Sequence, residues 1–379
     1  MNFDFVQTIS ETTYQQYLDN NPEIDKNVAF YKFNTESLED FKIAILGVED
    51  FRGYVANKGT ENAAHNIRKK LYTYAPFYNQ SKIVDLGNIP AGENYQDTLV
   101  ALKETLKDAF RNNLIVIVLG GDVSLTQAQY QAYQIFENDI QLSQIGATID
   151  IEENEEELYK NYLYEILKTN YLKRYNLIAY QSYFIKKDIY QIIHNYQFDS
   201  LRVGKIRKNT FEAEPFIREA DLVSFDINAI RFSDAPGQIL PSPNGLFGDE
   251  ACMLARFAGS SDILSSIGFY NYNPSEDIKE ITAHQVAQMV WYFIEGVQLR
   301  KQDYPITDEQ EFYHYTTSID REDFTFLKSK KTERWWMKIP IKRNDKTIYQ
   351  LVPCIYEDYL CAKNGEIPET WMRNLLRLS

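Results

Sequence analysis

The stretch LIVIVLGGDVS, Leu114–Ser124, decides the fold. Six consecutive aliphatic residues, Leu114 to Leu119, are too few for a helix with a polar face. They suit a strand buried on both faces, and Gly120-Gly121 halts them. Working outward, KIAILGV (Lys42–Val48) has the same texture, and further strands are predicted at Ile83–Leu86 ending at Gly87, Gln144–Ile149, Asn176–Tyr180, Leu201–Val203, Leu222–Ile227 and Ile263–Tyr270. Amphipathic stretches separate most of them. Ala63–Tyr74 has helical spacing, and Tyr95–Asn112 carries Leu99, Leu102, Leu106 and Phe110 at steps of three and four. Continuous apolar strands alternating with helices predict a mostly parallel sheet covered on both faces, a three-layer α/β/α sandwich.

The alternation stops after a helix predicted over Thr282–Arg300. Asp303–Pro305 reads as a linker, followed by a small meander (Phe324–Leu327, Arg334–Ile339, Thr347–Val352) with a charged turn at Lys328–Glu333 and a final helix from Glu369. The expected organisation is an N-terminal segment 1–40, a main α/β domain 41–302 and a small α+β appendage 303–379. So short a unit buries little core by itself, so it is expected to dock on the main domain. Trp335 and Trp336 alternate across one strand, predicting one packed ring and one half-exposed ring.

Bulk chemistry narrows the function classes. With 40 Lys+Arg against 54 Asp+Glu, the formal charge is −14. Such a chain has no general attraction for nucleic acid or anionic lipid, so neither is an expected partner. The three cysteines, Cys252, Cys354 and Cys361, form no CxxC pair and read as reduced thiols. The opening MNFDFVQTIS shows no basic stretch leading into an apolar run, so no secretory signal is expected and a cytoplasmic location is. No aliphatic run approaches the roughly 20 residues of a membrane helix.

In a parallel sheet, ligands bind beyond the carboxyl ends of the strands. Three polar segments fall there: GGDVS (Gly120–Ser124), IDIEEN (Ile149–Asn154) and SFDINAIRFSDAPG (Ser224–Gly237). In order and spacing they resemble the metal-binding motifs GGDHS, DAHxD and SxDxDxxDPxxAPG of the ureohydrolase superfamily, which includes arginase, agmatinase and formimidoylglutamase. Pro243-Asn244-Gly245-Leu246, Ile267-Gly268-Phe269, Asn273-Pro274 and Thr282-Ala283 extend the resemblance over roughly 40–300. The formimidoylglutamase-like group, here with a C-terminal extension, looks most similar. The resemblance implies an arginase-like sandwich, a homo-oligomer and hydrolysis of a carbon–nitrogen amidine bond by water shared between two manganese ions.

Carried over position by position, the resemblance also implies a degenerate site. The first ligand histidine falls on Val123. The DAHxD donors fall on Asp150, Glu152 and Asn154, and the last two aspartates on Asp226 and Asn228. The family's Asp-Pro falls on Arg231-Phe232, and its glutamate before Asn-Pro on Asn271. Three carboxylates and two neutral amides remain, and amides hold a divalent ion less firmly. The expectation is therefore no cofactor, or a weakly held manganese or other divalent metal at Asp150, Glu152 and Asp226. Val123, Asn154, Asn228, Arg231 and Asn271 would be vestiges. Arg231 is expected to pair with Asp226 or Asp150.

Residue by residue, plainer roles stand beside these. Gly120-Gly121 serves as a tight strand-to-helix turn, Glu152–Glu157 as an acidic first helical turn, and His284 and Cys252 as structural groups. The reading is a ureohydrolase-fold protein that has lost binuclear-manganese catalysis and binds a small nitrogenous metabolite or a protein. The alternatives are a hydrolase of formimidoylglutamate, arginine or an agmatine-like amidine, and an enzyme of different chemistry in the same crevice.

Overall fold

The computed structural model describes residues 3–26, 28–35, 37–53, 62–75, 82–136, 138–149, 151, 158–304, 306, 308–343 and 346–378. Nine strands form the main sheet: β1 (Val28–Phe30), β2 (Ile43–Val48), β3 (Ile83–Ile89), β4 (Ile115–Leu119), β5 (Ile140–Ile145), β6 (Leu172–Tyr180), β7 (Asp199–Arg202), β8 (Leu222–Asp226) and β9 (Ser266–Tyr270). Their order is β1-β3-β2-β4-β9-β8-β5-β6-β7, and every pairing is parallel. The late strands β9 and β8 are inserted between β4 and β5, so the chain reverses its direction of growth there, the place where open α/β sheets bind ligands.

The aliphatic run behaves as its sequence dictates. Ile115, Ile117 and Leu119 point into one core layer, and Leu114, Val116 and Val118 into the other. One layer is closed by the paired helices Gly248–Ser260 and Ile281–Gln298, the other by Tyr95–Arg111 and Thr126–Tyr133.

Two strand expectations are corrected. β3 does not stop at Gly87. It runs on to Ile89, because Gly87 adopts φ +100° while the register of β2 against β3 shifts by one residue. A Cβ there would lie 2.2 Å from the Gln7 carbonyl. β5 lies at Ile140–Ile145, four residues before the predicted run; there the Ser143 hydroxyl, polar in sequence, donates to the Phe216 carbonyl, and the Gln141 backbone N–H donates to Asp221. The N-terminal segment contributes helix Glu11–Asn20 and edge strand β1.

The C-terminal part forms a four-stranded antiparallel sheet, β10 (Phe312–Ile319), β11 (Glu322–Ser329), β12 (Trp335–Arg343) and β13 (Lys346–Cys354), followed by helices Tyr356–Lys363 and Glu369–Leu378. Contrary to the expectation of one half-exposed ring, both tryptophans are buried. Trp335 packs under Tyr359 with Trp371 in the same cluster, whereas Trp336 lies against Phe312 and under the Arg218 guanidinium of the main domain. The sheet is thus covered on both sides.

Charged contacts tie the two parts together. Arg218 is chelated by Glu214 and donates to the Trp335 carbonyl at 2.9 Å. Arg334 reaches Glu214 and the Ser260 carbonyl, and Arg373 and Arg377 both reach Asp199 of β7, at 2.9 and 2.8 Å. Lys205 meets Glu369.

Candidate functional site

The carboxyl ends of β4, β9 and β8 meet in one turn cluster. Gly120 and Gly121 take φ +89° and +74°, and a Cβ on Gly121 would fall 2.3 Å from Leu125 and 3.0 Å from the Asp50 carbonyl. Only glycine folds the chain this tightly from strand into the turn Val123–Leu125. The glycine pair is therefore used for chain geometry, as expected.

Facing it, Asn271 leaves β9 in the left-handed region at φ +67°, and its N–H donates to the Gly121 carbonyl at 2.9 Å. Its side chain then bridges the ends of β4 and β8. Asn271 Oδ1 accepts from the Val123 N–H at 3.2 Å, and Nδ2 donates to Asp226 Oδ1 at 2.9 Å. The same Asp226 oxygen caps the turn Ile227–Ala229 by accepting from Asn228 N–H at 2.9 Å. Asn228 Oδ1 in turn accepts from Leu240 N–H at 3.0 Å. Val123, Asp226, Asn228 and Asn271 are all buried. The structure therefore brings four of the sequence-selected residues together, joined by one amide.

Arg231 is elsewhere. It does not pair with Asp226. Its Nε lies 2.8 Å from Asp234, its guanidinium stacks 4.2 Å over Phe247, and its side chain is over a third exposed. Asp234 is one helical turn away in sequence and wins by proximity, while Asp226 is turned inward beneath Asn271. Asp150, Glu152 and Asn154, and the stretch Glu152–Glu157, lie outside the described residues. Among the described residues no group of three or more His, Cys, Asp or Glu side chains gathers in metal-binding geometry. His284 stacks with and bonds to Tyr74. Cys252 is a buried thiol, pushed up to about 11 by burial.

Sequence reasoning missed two buried acids beside the glycine turn, Asp122 and Asp50. Asp122 accepts from Tyr95 Oη at 3.0 Å and from Ser124 through both N–H and Oγ. Burial pushes its carboxyl up to about 6, against these hydrogen bonds. Burial also works to raise Asp50, but bonds from Arg52 and Thr98 outweigh it and hold that carboxyl below its usual value. Gly53 makes room: a Cβ there would meet Ser124 Oγ and both Asp122 oxygens within 2.7 Å. Only the position of Asp50 and Asp122 just after two aliphatic strands could have flagged them.

A parallel α/β sandwich with its polar turns gathered at the carboxyl ends of the central strands defines an open α/β protein whose site belongs at those ends. The arginase-family profile, described as "Arginase family", matches residues 41–295, and the chain belongs to that family. Formimidoylglutamase of Staphylococcus aureus (strain MSSA476) is 24% identical over 288 residues, covering 70% of this chain and 93% of that protein. The structure of Trypanosoma cruzi formiminoglutamase with Mn2+2 is similar at a TM-score of 0.64 and 18% identity, covering 71% of this chain and 97% of that one. Formimidoylglutamase of Bacillus subtilis is similar at 0.65 and 16%, covering 73% and 92%. At such identities the solved structures establish the fold.

They also correct one expectation. The sequence suggested no cofactor, or a weakly held manganese or other divalent metal, yet Trypanosoma cruzi formiminoglutamase, which shares this fold, has been solved with Mn2+2. The inference from donor arithmetic leaned on Asp150, Glu152 and Asn154 as much as on the described residues, so it overreached. Among the described residues no helix is long and apolar enough to cross a membrane.

Proposed function

We propose that this arginase-family protein has lost binuclear-manganese hydrolysis and uses the crevice at the ends of β4, β9 and β8 for binding. The observation that carries this is the Asn271 bridge from Val123 N–H to Asp226 Oδ1. Where the family motifs imply a ring of anionic and imidazole donors, the described positions Val123, Asp226 and Asn228 offer an aliphatic group, one carboxylate and one neutral amide. Asp226 spends one oxygen on two N–H groups, and Asn228 spends its oxygen on Leu240. These bonds hold Asp226 and Asn228 within their own turn, which supports the reading of lost hydrolysis.

The buried acid beside the glycine turn does not supply that chemistry. Asp122 is fully buried with both oxygens taken, and general-base catalysis alone contributes typically ~10²–10⁴-fold. Asp150, Glu152 and Asn154 complete the vestigial site in this proposal, and we place the protein in the cytoplasm as a homo-oligomer. The competing reading, a hydrolase of formimidoylglutamate or a related amidine, is favoured by the names of the relatives. Assaying Mn²⁺-supplemented protein for formamide or urea release from formimidoylglutamate, arginine and agmatine separates the two. No release is expected, and turnover on any of them would favour the hydrolase.

A further inference from the structure

A cavity of about 870 Å³ lies at the other end of the sheet, under the starts of the central strands. Lys42 leads into β2 there, Ile115 opens β4 and Ser265 leads into β9. The five residues of β4 separate it from the turn cluster at the carboxyl ends, a distance of roughly 17 Å. Among the described residues three cations line it, Lys42, Arg300 and Lys301, against one acid, Asp262. In a chain carrying −14, that is a local reversal of sign.

Arg300 is the fixed member of the three. Its Nε donates to the Gly259 carbonyl at 2.8 Å and its Nη2 to the Leu264 carbonyl at 2.9 Å, so the guanidinium is in place before anything binds. Burial lowers its pKa to about 10, which leaves it charged at neutral pH. Asp262 does not cancel this charge. Its two oxygens accept the N–H groups of Gln302 and Asp303 at 3.2 and 3.1 Å, which ties it to the turn after Arg300. At Lys42, burial and the Arg300 charge outweigh the pull of Asp262 and push the ammonium below its usual range. The cations therefore stand close enough to repel, and an anion between them relieves that repulsion. A guanidinium serving only the end of helix Gly248–Ser260 would need no lysine beside it. The facing wall is apolar: Phe136 is 46% exposed, with its ring centre 6.4 Å from that of Phe110.

We propose that this cavity is a second binding site, for a small organic phosphate whose dianionic head sits among Lys42, Arg300 and Lys301 and whose apolar body lies along Phe110 and Phe136. A phosphate monoester offers three outer oxygens, enough for one guanidinium and two ammonium groups together. The exposed aromatic ring gives the body a surface to cover. The site is separate from the strand ends that carry the family motifs, and it stands whether or not those ends retain catalysis.

Ligand-observed NMR on the full chain at fixed ionic strength tests this, with phenyl phosphate as the probe. Inorganic phosphate supplies the head alone and phenol the body alone. Saturable binding of phenyl phosphate is expected, weaker binding of phosphate and none of phenol. Lys42 and Lys301 are exposed, so Lys42→Gln and Lys301→Gln leave the fold intact, which thermal melts check. Each should weaken phenyl phosphate by at least about threefold. Lys187→Gln removes the same charge from an exposed position on the helix after β6, at the opposite end of the sheet, and should leave affinity unchanged. No saturation by phenyl phosphate, unchanged affinity in both cavity variants, or an equal loss in Lys187→Gln would each overturn the proposal. Phosphate binding as tightly as phenyl phosphate would overturn the part assigned to Phe110 and Phe136.

Discussion

Arg218→Met should unfasten the C-terminal sheet from the α/β layer. Arg218 is 2% exposed, bonded by Nε to Glu214 at 2.9 Å, bonded to the Trp335 carbonyl at 2.9 Å and stacked 4.4 Å over Trp336. Removing one partner of a buried pair costs about 3–5 kcal/mol, because the remaining charge stays buried. Here Arg334 stands 3.3 Å from the same Glu214 and relieves part of that cost. The expected loss is therefore at the lower end, about 3 kcal/mol. Replacing both members, Glu214→Leu with Arg218→Met, leaves no orphan carboxylate and should cost less than the single change. Urea denaturation followed by tryptophan fluorescence suits the question, since three of the four tryptophans, Trp335, Trp336 and Trp371, lie in the C-terminal unit. A loss below about 1 kcal/mol for Arg218→Met would place it among the weak surface pairs and refute the reasoning. So would a double variant less stable than the single one.

Three further outcomes follow from the geometry. Asp122 keeps its proton to about pH 6 when folded, whereas an unfolded aspartate releases it near 3.9. The native state therefore binds more protons between those values, and this group's contribution, full below about pH 4, is lost as pH rises through 6. Asp122→Asn should flatten that part of the stability–pH curve measured by thermal melts; an unchanged slope would contradict the assignment. Gly121→Ala should cost about 1–3 kcal/mol in chemical denaturation, since it adds a left-handed alanine and a contact with Leu125. A melting curve like the wild type would show that the turn relaxes. Arg231→Leu should shift stability by less than about 1 kcal/mol, because its pair with Asp234 is partly exposed; a larger loss would mean it reaches inward after all.

Much of the fold was legible because its signals are local. Leu114–Leu119 divides its side chains between two cores, which only a doubly covered strand does. The Ser224–Gly237 segment stands at the strand end to which its motif assigned it. What escaped depended on partners far away in the chain. β10 was missed because, on the edge of its sheet, only Phe312 is buried and the rest alternates between exposed and half-buried. The Asp122–Tyr95–Ser124 cluster joins residues from separate elements and carries no periodic signature. The Asn271 bridge needs a non-glycine residue at positive φ, which no spacing announces. Arg231 was misplaced because motif alignment ignores an acid three residues on, and at that distance a side chain pairs locally.

The most direct test of lost catalysis is formamide release from formimidoylglutamate by the wild-type protein supplied with excess Mn²⁺, with Asp226→Ala beside it. With Asp226 engaged by Asn228 and Asn271, both proteins are expected to match the buffer blank. Catalytic turnover in the wild type that disappears in Asp226→Ala would contradict the account.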